Sequence, residues 1–206
     1  MNSGAARPAP DIYVLGAILL AVLVAQHELN KGPSLLIATI VFAAMLLEAR
    51  HASRNERAQR ARGGVEPPDD VYRIMQLVYP ASFAAMFVED AVRGGPGSAV
   101  VIAGAALFAA SKALKIWAIR SLGPSWTFRV IVVPGAALVE KGPYRRLRHP
   151  NYLAVIGELA SVAAMTGALV SGPTALAVFG VLLVKRIHVE NRALAAAARG
   201  SDLTSK

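Results

Sequence analysis

Apolar positions along the chain gather into six runs: Ile12–Ala25, Ser34–Leu47, Ile74–Val88, Ser98–Ile119, Tyr152–Val170 and Pro173–Val184. Turn residues and charge clusters separate them. Several fall short of the roughly 20 residues a helix needs to cross the hydrocarbon core of a bilayer, but their succession is that of a helical bundle. The pattern predicts an all-α integral membrane protein with five to six transmembrane helices. Only "SGP", Ser171–Pro173, divides the last two runs, which predicts a tight C-terminal helical hairpin.

The polar stretches differ in character. "EARHASRNERAQRARGG", Glu48–Gly64, reads as an extension of the second helix, with mixed charges along a solvated face and a Gly-Gly stop. Asp69 and Asp70 precede "VYRIMQL" as N-terminal caps for the third helix. Pro80, in mid-run, predicts a kink there, and the small residues of "AGAALFAASKAL" permit close helix contact in the fourth. The longest irregular stretch is Arg120–Pro150, within which "FRVIVV" has a β-like character. A connection of that length without a helix of its own is uncommon unless it is a working part, so the site is expected there.

Composition supports the membrane reading. The chain of 206 residues is 55% hydrophobic and its mean hydropathy is +0.47. The net charge of +9 raises the question of nucleic acid, but its distribution answers it. With the N-terminus in the cytoplasm, only Lys31 and Arg93 of the 22 basic residues fall on outer turns. That is the positive-inside asymmetry, and it accounts for the charge with no nucleic-acid partner. The opening "MNSGAARPAP" has no cleavable-signal character, so the first helix is expected to be retained. The absence of cysteine excludes disulfides, a thiolate nucleophile and cysteine metal sites. No His-x-x-x-His pair occurs, and no metal site is predicted. His27 and His51 read as interfacial helix ends, Trp117 and Trp126 as interfacial anchors.

Two clusters carry chemistry: "GPYRRLRHPNY", which leads into the fifth run, and "VKRIHVENRAL", at the end of the sixth. A hairpin brings them to one mouth, gathering Arg148, His149, Arg186, His188, Glu190, Tyr144 and Tyr152. Arg186 and Glu190 stand four residues apart on one helix face, where they can pair. Such a mouth suits a zwitterionic amino acid, with arginine or histidine for its carboxylate, glutamate for its ammonium and an aromatic wall for a nearby cation. S-adenosylmethionine has all three features. For an acceptor bearing a neutral hydroxyl, His188 or Glu190 is a candidate general base.

These residues resemble the isoprenylcysteine carboxyl methyltransferase family and its phospholipid methyltransferase relatives. The shared signature is a Gly-Pro-Tyr turn, an Arg-His-Pro-x-Tyr element and, beyond a hairpin, an Arg-x-x-x-Glu-Glu element; the likeness runs from about Lys115 to Leu194. It implies a first segment of transmembrane helices, 1–110, and a methyltransferase-like core, 111–206, divided into a cofactor loop, 120–150, a helical hairpin, 151–190, and a cytoplasmic tail. It implies a membrane enzyme that binds S-adenosylmethionine at the cytoplasmic face, releases S-adenosylhomocysteine and methylates an oxygen of a lipophilic small-molecule or prenyl or alkyl acceptor from the bilayer. Residue by residue, Gly142, Tyr144, Arg148, His149, Pro150, Tyr152 and Glu190 would bind the cofactor, and Arg186, Glu190 and His188 would act at the acceptor. The chain departs from the family pattern at Ala154, where glycine is common, at His188, where arginine is frequent, and at Asn191, which replaces the second glutamate. Two other readings stay open: a sterol-reductase-like enzyme using NADPH, and a scaffold whose basic clusters bind anionic membrane lipid.

Overall fold

The structure is a computed structural model, and it describes residues 33–198. The predicted first run, with His27 and Lys31, and the tail after Ala198 lie outside the described residues. The other runs fold as α1 (Pro33–Ala61), α2 (Tyr72–Arg93), α3 (Ser98–Leu122), α4 (Pro150–Thr166) and α5 (Ser171–Ala198). The segments Ser34–Ala61, Ser98–Ser125 and Ser171–Ala197 are long and apolar enough to cross a membrane. On these helices Leu36, Leu47, Ile102, Val178 and Val181 remain exposed, as side chains facing lipid can be without loss. The buried centre is built on Phe42, Phe83, Met86, Phe87, Leu159 and Val162.

Small residues set the closest helix pair, α3 on α4. A Cβ on Gly104 would stand 2.6 Å from Met165 Cγ and 3.0 Å from the Ser161 carbonyl; one on Gly157 would stand 2.2 Å from Ser111 Oγ. The helices meet through the stretch where the alanine- and glycine-rich sequence predicts close contact. Pro80 is buried inside α2.

The hairpin is present, but its turn comes earlier than Ser171–Pro173. Gly167 takes the left-handed conformation, φ +62°, that ends α4, and α5 begins at Ser171. Pro173 lies in the first turn, where its missing N–H is no loss. Glu89 of α2 holds this start: its carboxylate accepts the Val170 amide at 3.1 Å, the Ser171 amide at 2.7 Å and the Ser171 hydroxyl at 2.6 Å.

Three local expectations change. Val71, not an aspartate, occupies the N-cap position of α2. Asp70 does accept the Tyr72 amide at 3.1 Å, while Asp69 pairs with Arg192. The "FRVIVV" stretch forms no strand; Val132 makes one antiparallel bridge to Val65. The polar end of α1 is not merely solvated. Asn55 donates to the carbonyls of Gly123 and Trp126 at 3.2 and 2.8 Å, Gln59 to that of Pro124 at 2.7 Å, and Glu56 accepts the amides of Phe128 and Arg129 at 3.2 and 3.3 Å. An irregular segment must satisfy its backbone groups outside itself, and α1 supplies the partners.

Candidate functional site

Local geometry explains how the first cluster presents its side chains. The chain makes a 3-10 turn at Gly142–Arg145, then starts α4 with His149 at the N-cap and Pro150 at the first helical position. Gly142 has φ +57°, and a Cβ there would stand 2.1 Å from Ser121 Oγ and 2.9 Å from Trp117 Nε1, so glycine lets the turn sit against α3. His149 and Tyr152 are three positions apart, which puts them on one face; their rings stack at 5.2 Å with 13° between planes.

The second cluster reaches the first from α5. Tyr152 donates its hydroxyl proton to Glu190 at 2.5 Å and accepts from Arg186 Nε at 3.0 Å. His149 Nδ1 lies 3.9 Å from Glu190. Arg186 and Glu190 do not spend themselves on each other: Arg186 Nη1 pairs with Asp70 at 3.0 Å. With side chains only 6% and 2% exposed, Arg186 and Asp70 form a buried ion pair. Asp70 also accepts the Val130 amide at 2.8 Å, tying the irregular segment to α2 and α5.

Of these groups, Tyr152 and Arg186 line two cavities at once. One, of about 460 Å³, has a mixed polar and apolar lining and lies among residues 125–140, the start of α4 and the end of α5. Tyr144, Arg148, His149, Trp126, Glu190 and Asn191 face it. Its volume lies in the roughly 300–1,000 Å³ range of small-molecule sites. Burial raises the Tyr144 phenol above its ordinary pKa, and the neighbouring Glu190 charge adds to the rise. Arg129, beside the cavity, is held by Glu66 at 2.9 Å and Glu56 at 3.6 Å.

The other cavity, of about 110 Å³, lies within the bundle and is mostly apolar, with Met45, Met75, Val155, Phe179 and Leu183 in its lining. Tyr152, Arg186, Asn151 and Thr127 line both spaces. Glu48, Tyr79 and Lys115 give the inner cavity a charged boundary. Lys115 Nζ meets Glu48 at 2.6 Å and Glu158 at 3.0 Å, Lys112 Nζ meets the same two at 2.7 and 3.0 Å, and Tyr79 donates to Glu158 at 2.5 Å. Glu158, the charge stranded in an apolar run, is therefore part of a balanced two-lysine, two-glutamate cluster.

Tyr144, Arg148, His149, Tyr152, Arg186 and Glu190 thus converge. Gly142 and Pro150 do not line either cavity; they shape the turn and the helix start. His188 is apart: it is exposed, and its Nδ1 lies 2.7 Å from the Val184 carbonyl of its own helix. Trp126 is buried beneath His51 and Phe128, whereas Trp117 is 55% exposed as an anchor would be. Asp70, Asn151, Glu48, Tyr79 and Lys115 were not among the predicted site residues. Asp70 read as a cap, Asn151 stood unremarked inside the first cluster and Glu48 at the start of the polar end of α1, and the mark of Tyr79 and Lys115 is polarity within apolar runs.

The fold and the paired cavities define a membrane-embedded helical bundle with a two-chamber site. The chain belongs to the isoprenylcysteine carboxyl methyltransferase (ICMT) family, which it matches over residues 103–196, and is by that membership a membrane methyltransferase. It is 30% identical to Uncharacterized protein YpbQ of Bacillus subtilis (strain 168) over 159 residues, 77% of this chain and 95% of that protein. An uncharacterized protein of Haemophilus influenzae (strain ATCC 51907 / DSM 11121 / KW20 / Rd) is 23% identical over 159 residues, covering 77% of this chain and 90% of its own length. No solved structure matches the chain.

Proposed function

We propose that this protein transfers a methyl group from S-adenosylmethionine to an oxygen, a carboxylate or a phenolic or enolic hydroxyl, of a lipophilic acceptor drawn from the bilayer. The observation that carries the reading is the pair of adjoining cavities that share Tyr152 and Arg186, one of mixed polarity and one mostly apolar. Two reactants of different character can then meet where the cavities adjoin, and holding them together supplies much of the rate.

The larger cavity fits the donor by chemistry. Arg148, which forms no ion pair among the described residues, suits its carboxylate, and Glu190 its ammonium. Tyr144 and His149 supply aromatic faces toward a cationic ligand. Bound there, the donor would supply a methyl group activated by the positive charge on sulfur. Gly142 and Pro150 serve by holding the turn, and Arg186 and Glu190 by bordering both reactants. His188 has no part in this arrangement.

The basic residues at the polar end of α1 and around the irregular segment favour a cytoplasmic site, with both termini on that side of a bacterial cell membrane. The core that holds the donor would lie within 111–206, with the preceding helices completing the acceptor chamber. The test is calorimetric titration of detergent-purified protein with S-adenosylhomocysteine, comparing wild type with His149→Ala and Glu190→Ala. Saturable binding that both substitutions weaken, with folding intact, is the expected result. No binding by folded wild type refutes the reading.

A further inference from the structure

The inner cavity has charged walls but no uncommitted charge among its described lining residues. Arg186 is neutralised by Asp70, and Lys112 and Lys115 are balanced by Glu48 and Glu158. An anionic acceptor would have to leave water for this space without a cation to receive it, a transfer that is strongly unfavourable. A second observation points the same way. Gln76 Oε1, on the lining of the same cavity, is buried and has no hydrogen-bond partner among the described residues. A side-chain amide both donates and accepts, so Gln76 can meet a neutral hydroxyl without any charge being required.

A neutral hydroxyl must lose its proton on methylation, and a route lies where the two cavities adjoin. Tyr152 lines both cavities, and its hydroxyl accepts from Arg186 and donates to Glu190, which lines the larger one. A phenol oxygen has two lone pairs, so one remains to receive a proton from the inner side. The Glu190 side chain is 31% exposed and can release a proton to water. The bland alternative is that the triad only braces α4 against α5. A brace, however, does not need to border both spaces.

Resting on the proposed function, we propose that the acceptor binds as an uncharged hydroxyl compound and that Tyr152 relays its proton to Glu190 during methyl transfer. The acceptor oxygen bonds to the methyl carbon as the carbon–sulfur bond breaks, leaving its electron pair on sulfur. The hydroxyl proton moves to Tyr152 Oη while the Tyr152 proton moves to Glu190, so the tyrosine ends neutral and the carboxylate protonated. Arg186 and His149 face this pair directly, Tyr144 lies near enough for its ionisation to be influenced by Glu190, and Asp70 stands behind Arg186.

The experiment uses the full chain in detergent with three probes: para-octylphenol, its more acidic ring-fluorinated analogue, and para-octylbenzoate. Binding of each in the presence of S-adenosylhomocysteine is measured by calorimetry, and methyl transfer is measured with S-adenosylmethionine at several pH values. The phenols are expected to bind and the benzoate not. General acid–base assistance is typically worth about a hundredfold or more, so Tyr152→Phe is expected to slow transfer to the plain phenol by that order. It should slow transfer to the fluorinated phenol, which binds uncharged but gives up its proton more readily, less than transfer to the plain phenol. Glu190→Gln should show the same ordering. Preference for the benzoate, or equal losses on both phenols, overturns the relay. Failure of wild type to bind S-adenosylhomocysteine instead removes the proposed function, and the relay with it.

Discussion

Replacing Asp70 by alanine tests how the site is held together. Its carboxylate meets Arg186 Nη1 at 3.0 Å with both side chains almost wholly covered, and it also accepts the amides of Val130 and Tyr72 at 2.8 and 3.1 Å. Removing one member of a buried ion pair strands the other, which costs about 3–5 kcal/mol. Against a typical total stability of roughly 5–15 kcal/mol, that is a large share. Arg186→Met does less damage, because Asp70 keeps its two amide donors. The double substitution removes both charges, and the two effects are expected to be non-additive by about 0.5–3 kcal/mol, with the double variant more stable than Asp70→Ala alone. The assay is chemical unfolding in mixed micelles, followed by the fluorescence of buried Trp126. Effects that add within about 0.5 kcal/mol would refute the buried pair as the link between α2, the irregular segment and α5.

Two further perturbations separate packing from charge. Gly104→Ala and Gly180→Ala place the same methyl in a helix interior, but the first meets Met165 and the Ser161 carbonyl while the second meets nothing within 4 Å. The first is expected to destabilise by about 1–3 kcal/mol through overpacking, the second to be neutral or to stabilise by up to about 1 kcal/mol; equal unfolding midpoints would dismiss the close α3–α4 contact. Tyr144 holds its proton more tightly when folded than when unfolded, so its contribution is fully present below the unfolded value of about 10 and is lost as pH rises beyond it. Tyr144→Phe should therefore flatten the alkaline fall in stability, as read from unfolding midpoints across that pH range.

Much of this architecture was legible in the order of apolar and polar residues, because a bilayer-spanning helix declares itself by length and composition alone. The Arg-His-Pro-x-Tyr element was equally legible: proline at the first helical position fixes where α4 begins, and with it the shared face of His149 and Tyr152. The hairpin turn was misplaced because Pro173 looks like a breaker, whereas in the first turn of a helix it is a starter, and Gly167 is the stop. His188 misled for a related reason. It sits two residues from Arg186, and adjacent alternate positions on a helix do not face the same way.

What could not be read was partnership. Asn55 and Gln59 look like parts of a solvated arginine-rich face until the carbonyls of Gly123, Pro124 and Trp126 are brought against them. Glu48, Lys112, Lys115 and Glu158 are each anomalies in apolar or helical sequence, but their charges cancel only when α1, α3 and α4 stand together. That cancellation bears on function as much as on stability. A buried charge left free would define a binding site for its opposite, whereas a balanced cluster leaves the selection of an acceptor to hydrogen bonding and shape. The inner cavity is lined by α1 and α2 together with α3, α4 and α5, and Tyr152 and Arg186 of the recognisable motifs stand where the two spaces adjoin.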